Sequence, residues 1–156
     1  MAFRQITFGS ADYRKECELR HEVLRAPLGL SLYDEDLSRE QQQMHFGLFE
    51  QNNQLVACVI AVAVSSSEAK IRQMAVARDH QGKGHGRSII NSLEEHLAQQ
   101  GYRHLSMHAR VSAIGFYEKL GYARAGDEFE EVGIPHVQMG KAIQPANATE
   151  ANQARI

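Results

Sequence analysis

The sequence predicts a mixed α/β fold, and three observations support this prediction. The chain has 156 residues, 43% of them hydrophobic, which is enough for one buried core and too few for two ordinary domains. Segments with the alternation of strands lie before, between and after segments with the periodicity of helices. A glycine-rich turn at residues 81–86 follows a strand-like segment and precedes a helical one. This order of elements favours a mixed sheet with helices on both faces.

The first quarter of the chain is expected to form one strand, one helix and a polar loop. Residues 3–8 have a strand-like composition, and Ser10 is a suitable N-cap for the helix that follows. Pro27 and Gly29 are expected to end that helix. The polar and acidic stretch 31–43 is expected to be a loop with a short helix.

Three strands are expected next. Residues 45–50 and 55–65 flank a polar four-residue segment, which indicates a hairpin. The second of these strands is almost continuously apolar, so it should be central and covered on both faces. Residues 69–76 form the third strand, in which Gln73 shares a face with apolar residues and therefore predicts a bulge or an exposed bend.

The second half of the chain is expected to contribute two helices and three strands. Apolar residues recur every four positions from Ile89, and Gly101 ends the helix that they define. Another helix is expected to start after Ser112 as its N-cap and to end at Gly121. The last two strands are expected to be joined by a turn at residues 133–135. The strands themselves are expected at residues 104–109, 122–131 and 136–143.

Residues 1–143 are expected to form a single domain, and residues 144–156, with almost no large apolar side chains, a disordered tail. Two cysteines are too few for a disulfide framework or a cysteine metal site, and they favour a reducing compartment. The N-terminus lacks a secretion signal, and the longest apolar stretch is far too short to span a membrane. A cytoplasmic protein is therefore expected. The net charge of -2 gives no reason to expect binding to nucleic acid or to membranes.

The glycine-rich turn has the features of an anion-binding site. The first amides of a helix lack intrahelical partners and lie at the positive end of the macrodipole, so they stabilise a phosphate group. Glycines let the backbone approach that phosphate closely. Neither the dinucleotide-binding pattern nor the P-loop pattern is present, and the other interpretation is a flexible turn that caps a helix. The residues that would supply geometry and charge are Gln81, Gly82, Lys83, Gly84, Gly86 and Arg87.

Two segments resemble motifs of the GNAT superfamily of N-acetyltransferases. Residues 76–86 resemble its motif A, Gln/Arg-x-x-Gly-x-Gly/Ala, and residues 116–122 resemble its motif B at the expected distance downstream. The resemblance, which includes the order of elements, covers roughly residues 3–143. The residues that match motif A one by one are Gln81, Gly84 and Gly86.

Two further segments narrow the resemblance. Residues 129–139 and 19–25 are similar to the ElaA-like branch of the superfamily, in which the acceptor is generally undefined. The chain departs from the superfamily pattern at one position. Members often carry Asn seven residues before the motif B tyrosine, where it bonds the pantetheine arm, and here that position is Arg110. An arginine could instead meet a phosphate.

The resemblance implies a mostly antiparallel central sheet with a V-shaped cofactor cleft between two splayed strands. It implies an enzyme that transfers the acetyl group of acetyl-CoA directly to a primary amine through a ternary complex. The amides of Met74 and Val76 would pair with pantetheine, and one near Met74 would polarise the thioester carbonyl. The cofactor-binding residues that it implies are Met74, Ala75, Val76, Gln81, Gly82, Lys83, Gly84, His85, Gly86, Arg87 and Tyr117.

The resemblance also implies an acid and a base. Tyr117 would protonate the CoA thiolate, although it lies on the apolar face of its helix and would equally serve as a core residue. The amine must attack in its neutral form, so a base is required. His136 and Glu131 flank the predicted turn and are the candidates, with a backbone-bonded turn histidine and a solvated strand-end charge as the alternatives. His108 is a third option for the base.

Other polar residues have less specific expectations. Arg20 and Arg25 are expected either to line the acceptor pocket together with His136 or to form salt bridges, for example with the acidic loop at residues 34–36. The two histidines beside and within the glycine-rich turn are expected to be exposed. No His, Asp or Glu cluster has the spacing of metal ligands, so no metal is expected.

The acceptor is expected to be a small-molecule or protein amine, and an edge strand at the C-terminus would allow a homodimer. Two other functions stay open on the sequence. One is a non-catalytic acyl-CoA-binding module that regulates a partner. The other is a nucleotide-binding protein that uses the glycine-rich turn for ATP or NAD.

Overall fold

The computed structural model describes residues 1–145, and the predicted tail from residue 146 onward lies outside the described residues. The helices are α1 (Ala11–Arg20), α2 (His85–Gln99) and α3 (Ile114–Lys119). None of the helices within residues 1–145 is long and apolar enough to cross a membrane. The strands are β1 (Ala2–Ile6), β2 (Met44–Phe49), β3 (Leu55–Ala63), β4 (Glu68–Val76), β5 (His104–Arg110), β6 (Ala123–Arg124), β7 (Phe129–Glu131) and β8 (Ile134–Ala142).

The strands form one sheet in the order β1-β2-β3-β4-β5-β8-β6, with β7 also paired to β8. Strands β4 and β5 run parallel and pair over Glu68–Ile71 and His104–Met107. A parallel pair needs a crossover connection, and α2 lies in the chain between these two strands. The pairs β1–β2, β2–β3, β5–β8, β6–β8 and β7–β8 are antiparallel. The predicted mixed and mostly antiparallel sheet is therefore confirmed.

The chain divides into two compact units. The first unit consists of Met1–Val62 and Arg72–Leu93, and the second joins Ala63–Ile71 to the chain from Glu94 onward. The expectation of a single domain over residues 1–143 stays a prediction. A core cluster of the first unit consists of buried residues from β1, α1, β2, β3, β4 and the 3-10 turn Leu32–Asp34, namely Ile6, Tyr13, Cys17, Leu19, Leu32, Phe49, Leu55, Cys58 and Ala75.

Strand β3 is buried along most of its length, because its first seven residues are all buried. This confirms the prediction that a continuously apolar strand lies at the centre of the sheet. The second unit has its own buried residues on β5, α3 and β8 and in the turn between α3 and β6. They are Leu105, Met107, Ala109, Ile114, Tyr117, Tyr122, Val137 and Met139.

The helical region near the N-terminus begins at Ser10 and ends at Gly29 as predicted, but its last two turns are not α-helical. The Ser10 hydroxyl accepts a hydrogen bond from the Tyr13 amide at 3.1 Å, so Ser10 is the N-cap of α1. The α-helix ends at Arg20, continues as a π-helical turn over His21–Arg25, and then tightens into a 3-10 turn over Ala26–Leu28. π-Helical turns are rare and often lie at functional sites.

Two local predictions for the C-terminal region were wrong. Ser112 does not cap α3, whose N-cap is Ala113 without a side-chain hydrogen bond. The final turn lies at Val132 and Gly133, with φ of +48° and +78°, and not at residues 133–135. Two consecutive positive φ angles are typical of a type I′ hairpin turn. Ile134 and Pro135 are consequently the first two residues of β8.

The expected C-terminal edge strand is also corrected. Strand β8 pairs with β5 along one side and with β6 and β7 along the other, so it lies inside the sheet. The segment predicted as a single strand over residues 122–131 is split into β6 and β7. The edge that was expected to support a homodimer is therefore occupied by strands of the same chain.

Candidate functional site

The glycine-rich turn connects β4 to α2 within the first unit. A 3-10 turn over Arg78–His80 follows β4, and the side-chain amide of Gln81 donates to the Val76 carbonyl at 3.0 Å. This bond ties the start of the turn to the end of the strand. Gly82 and Gly84 have φ of +76° and +85°, a left-handed conformation that glycine adopts without steric cost. A Cβ built on either glycine would meet no atom within 4 Å, so open space lies beside both.

The amides at the start of α2 are arranged as an anion site requires. The Ser88 amide donates to the Gly84 carbonyl at 3.0 Å, which makes this the first rung of the helical ladder. The amides of residues 85–87 precede that rung and therefore have no i−4 partner in the helix. The Gln81 amide differs, because it donates to the Arg78 carbonyl at 3.3 Å. The backbone amide of Gln81 thus has a partner, and its side chain closes the turn onto the end of β4.

Charges around the turn add to the helix dipole. The side chains of Lys83 and Arg87 are exposed on either side of the first helical residues. The expectation of exposed histidines was wrong, since His80 and His85 are both half-buried. His80 Nε2 lies 3.0 Å from Glu50 Oε1, which fixes the residue before the turn to the end of β2. The start of the turn is therefore anchored next to the end of β2, and the space beside Gly82 and Gly84 is open.

The residues predicted to line the pantetheine arm lie at the end of β4. Ala75 is buried, and Met74 and Val76 are half-buried. The Ala77 amide donates to the Val56 carbonyl at 2.8 Å, so the end of β4 is held against β3. The backbone just before Met74 is irregular, because Gln73 has φ of +54°. This confirms the irregularity that the apolar pattern around Gln73 predicted. The role of the three residues in cofactor binding stays a prediction.

A buried ionic network lies beneath β4 in the first unit. Arg20 is 1% exposed, and its two terminal nitrogens contact Glu40 at 2.8 and 2.6 Å. One of them also donates to Glu16 at 2.8 Å. His45 donates through Nδ1 to Glu16 at 3.0 Å and through Nε2 to the Glu40 carbonyl at 2.8 Å. Because both ring nitrogens face acceptors, His45 is held as the imidazolium.

The pKa directions agree with a fully charged network. Burial opposes the charge on Arg20, but its bonds to Glu40 and Glu16 outweigh burial and raise its pKa. Burial would raise the pKa of Glu40, yet hydrogen bonds from Arg20 and Tyr13 lower it. Burial would lower the pKa of His45, and its bond to Glu16 raises it overall. Two cations and two anions therefore balance inside the first unit.

This balance bears on metal binding. Among the described residues, one group of possible metal ligands has atoms within 4.8 Å of one another, namely Glu16, Glu40 and His45. The guanidinium of Arg20 already contacts both carboxylates. We therefore assign the group to an ion-pair network. Of the contacts in this network, only the one between Glu16 and Arg20 has a signal in the sequence, because residues four apart on a helix lie on the same face.

The two arginines predicted near the acceptor are both paired. Arg20 belongs to the buried network, and Arg25 Nε contacts Glu35 at 2.6 Å. The second pair holds the acidic loop to the π-helical turn, which was one of the two expectations for these residues. A role for either arginine in acceptor binding stays a prediction.

In the second unit, Tyr117 is 7% exposed on α3. Its ring packs against Phe116 and Tyr122, with centroids 5.0 and 5.9 Å away. Burial raises the pKa of Tyr117 to about 12. The phenol is therefore neutral at physiological pH and can donate a hydrogen. This packing also matches the alternative of a core residue, so the role as an acid stays a prediction.

The three candidates for the base lie together in the second unit. His108 Nδ1 is 3.0 Å from Glu131 Oε1, and His136 Nε2 is 3.7 Å from Glu131 Oε2. The ladder explains their proximity, because β8 pairs with both β5 and β7. Phe129 packs against both imidazoles, with centroids 4.8 and 6.1 Å away. From the sequence, these three residues were separate candidates for the base, and nothing in it indicated that they lie together.

Each candidate has a distinct electrostatic setting. His136 is buried and donates through Nδ1 to the Ile134 carbonyl at 2.9 Å, so Nε2 is the nitrogen left to face Glu131. Burial raises the pKa of Glu131, but the hydrogen bond from His108 and the charges of His108, His136 and Lys70 lower it below its usual value. A carboxylate with a lowered pKa is a weak base and suits the binding of a cation. Nε2 of His136 is the better placed proton acceptor.

Arg110 replaces the asparagine of the resembling superfamily. It is the last residue of β5, is half-buried, and pairs with His136 in the β5–β8 ladder. Arg110 thus belongs to the same end of the second unit as the histidine and carboxylate cluster. Its contact with a cofactor phosphate stays a prediction.

Comparison with known proteins supplies the family context. Residues 20–143 match the acetyltransferase (GNAT) domain. The uncharacterized protein YyaT of Bacillus subtilis (strain 168) is 32% identical over 132 residues, which cover 79% of this chain and 88% of that protein. An aminoglycoside 6'-N-acetyltransferase complexed with coenzyme A has a TM-score of 0.77 at 15% identity, covering 93% of this chain and 98% of its own. Escherichia coli ElaA has a TM-score of 0.74 at 17% identity, covering 90% and 99%. At these identities the two structural matches show the fold.

Proposed function

Because this chain belongs to the GNAT acetyltransferases, we propose that it transfers the acetyl group of acetyl-CoA directly to a primary amine. The observation that supports this most strongly is the turn between β4 and α2. Its two left-handed glycines, open face and free first-turn amides suit a pyrophosphate. The proposed contacts to the cofactor are the residues named above, from Met74 to Val76 and from Gln81 to Arg87, with Tyr117.

The reaction needs three contributions from the protein. The amine nitrogen attacks the thioester carbonyl carbon, and the amide of Met74 would stabilise the negative charge that develops on the carbonyl oxygen. The carbon–sulfur bond then breaks and leaves the CoA thiolate. The amine must lose one proton to a base before or during attack, and the CoA thiolate, with Tyr117 as a hydrogen-bond donor to its sulfur, gains one from solvent afterwards. A lysine-like amine has a pKa of about 10.4, so a base is needed near neutral pH.

We assign the base to Nε2 of His136 and give Glu131 a different role. The backbone bond at Nδ1 fixes the tautomer that leaves Nε2 available in the neutral imidazole. Glu131 contacts His108 and has a lowered pKa, so its carboxylate would attract and orient the ammonium form of the acceptor. The two residues then act in sequence, since the carboxylate binds the cation and the histidine takes its proton.

The proposed acceptor is a primary amine, on a small molecule or on a protein. An aminoglycoside acetyltransferase shares the fold, but that enzyme's substrate is its own. We propose the cytoplasm as the compartment, because acetyl-CoA is used there and both cysteines are free.

The test measures release of CoA with a thiol reagent against a panel of amines. The panel contains alkyl diamines, aminoglycosides, a lysine peptide and a peptide with a free N-terminus. Turnover on any of them supports the proposal. Tight binding of acetyl-CoA without turnover on every class would instead favour the alternative, a non-catalytic acyl-CoA-binding module. That alternative is consistent with the aromatic packing of Tyr117, which explains its burial without catalysis.

A thermal-shift comparison addresses the cofactor separately. Stabilisation by CoA but not by ATP or NAD is expected, since a ligand that binds the folded state raises its melting temperature. Equal stabilisation by ATP would favour a nucleotide-binding protein and contradict the proposal.

A further inference from the structure

Gln73 has a backbone conformation that needs support. Its φ of +54° lies in the left-handed region, which residues other than Gly, Asn and Asp seldom adopt. Gln73 lies inside β4, and the residues on both sides of it belong to the strand. A residue with this conformation interrupts the alternation of a strand and changes the direction of the next amide. The next residue is Met74, whose amide is proposed to polarise the thioester.

Two contacts hold Gln73 in place. The side-chain oxygen of Gln73 accepts a hydrogen bond from Arg20 Nε at 3.2 Å. The thiol of Cys58 lies 3.8 Å from the Gln73 carbonyl oxygen and donates to it. The residue is therefore anchored through its side chain from α1 and through its backbone from β3.

Arg20 is itself held by several hydrogen bonds. Its terminal nitrogens are bound to Glu40 and Glu16, which leaves Nε as the donor directed at Gln73. His45 bonds to both of the acidic residues and fixes them in turn. Buried ion pairs add little net stability compared with apolar residues of similar size. The main effect of this network is therefore to fix the position of the Arg20 guanidinium.

We propose that Arg20 is a positioning residue for catalysis, which holds Gln73 in its left-handed conformation and thereby directs the Met74 amide at the thioester carbonyl. The proposal rests on the proposed acetyltransferase function. It differs from the earlier expectation for Arg20, because Arg20 would act through Gln73 and would not touch the acceptor. The Gln73 side chain would be needed only because glutamine does not favour this conformation unaided.

The test uses variants of residue 73 that separate the hydrogen bond from the backbone conformation. Gln73→Met keeps the size of the side chain but cannot accept from Arg20. Gln73→Gly has no side chain, yet adopts a positive φ without cost. We expect Gln73→Met to lower kcat by roughly tenfold with KM for acetyl-CoA within about twofold, and Gln73→Gly to keep kcat near wild type.

Arg20→Lys completes a double-mutant cycle. It keeps a charge beside Glu40 but removes the Nε donor, so it should lower kcat in the wild-type background and have no further effect in the Gln73→Gly background. The melting temperature should fall by similar amounts in both backgrounds, because the buried network is weakened in each. An equal loss of kcat in both backgrounds would mean that Arg20 supports only the fold, and the proposal would be wrong. If Arg20→Lys does not fold, equal kcat for Gln73→Met and Gln73→Gly overturns the proposal without it.

Backbone chemical shifts distinguish this proposal from the proposed function. The shifts of residue 73 should report a left-handed residue in the wild type and in both proteins that carry Gln73→Gly, and a strand-like residue in Gln73→Met. Unchanged shifts in Gln73→Met would refute the positioning role even for an active enzyme. A shift change together with no turnover by the wild type would instead refute the acetyltransferase function and leave the structural coupling established.

Discussion

Replacing Tyr117 with phenylalanine tests whether its hydroxyl contributes to the departure of the CoA sulfur. The change removes one hydroxyl from a side chain that is 7% exposed and packed between two aromatic rings. Phenylalanine fills the same space, so the fold should be retained. Any loss of activity would then report on the hydroxyl.

The magnitude follows from the burial of Tyr117. Burial raises its pKa to about 12, whereas a thiol such as that of CoA has a pKa of about 8.5. The two values differ by about 3.5, so full transfer of the tyrosine proton to the thiolate is unfavourable by about 5 kcal/mol. In the proposed reaction Tyr117 would therefore stabilise the departing sulfur as a hydrogen-bond donor and would not transfer its proton completely. A hydrogen bond to a charged group contributes about 1.5–3 kcal/mol, which corresponds to a loss of roughly 10- to 100-fold in kcat.

The assay is steady-state release of CoA, measured between about pH 7 and pH 9. Because the pKa of Tyr117 is about 12, the phenol stays protonated across this range, and the fold-loss in Tyr117→Phe should be the same at both ends. The matched control is Tyr122→Phe, which removes a hydroxyl that donates to Glu94 at 2.8 Å. The control should lower the melting temperature with little change in kcat. A kcat for Tyr117→Phe within about twofold of wild type would refute the reasoning and leave Tyr117 as a core residue.

Three other perturbations test separate parts of the account. Gly84→Ala places a Cβ on a residue with φ of +85° and should weaken CoA binding by roughly tenfold in calorimetry. The control, Gly101→Ala, changes a residue with φ of +101° in the turn after α2 and should lower stability without changing CoA binding. His136→Asn keeps a donor for the Ile134 carbonyl but removes Nε2, so kcat should fall by roughly 100-fold and recover partly at high pH. An unchanged kcat would exclude His136 as the base. The free energy of unfolding in urea should decline below about pH 4.5, because the pKa of Glu40 in the folded protein lies below its usual value of 4.5. It should also decline above about pH 6.5, because the pKa of His45 in the folded protein lies above its usual value of 6.5. A profile that is flat on both sides would contradict the charged network.

Local features of the fold could be predicted from the sequence. The Ser10 cap, the apolar strand β3 and the succession of strand, glycine-rich turn and helix each depend on a few neighbouring residues. The irregularity at Gln73 was also visible, because a polar residue interrupted an apolar face. These predictions succeeded because backbone preference and burial pattern are set within one element.

Other features depend on residues far apart in the chain. The network joins Glu16, Arg20, Glu40 and His45, and only the first two are close enough in sequence to suggest a pair. The final turn was misplaced because Gly and Pro are strong turn signals, whereas the hairpin places Val132 at a positive φ that β-branched residues rarely adopt.

The candidate site shows the same division. The glycine-rich turn was predicted residue by residue, because its chemistry lies in one short segment. His108, Glu131 and His136 were named but not connected, since their proximity results from the pairing of β8 with β5 and β7. The separate roles proposed for Glu131 and His136 rest on the bond at Nδ1 of His136 and on the contact of Glu131 with His108.

The most direct test of the central claim is a backbone amide titration by NMR that compares CoA with pantetheine, which lacks the pyrophosphate. The account predicts that CoA shifts the amides of residues 82–87 most strongly and that pantetheine leaves them nearly unchanged. Amides of the turn that do not respond to CoA, with the large shifts elsewhere in the chain, would contradict it.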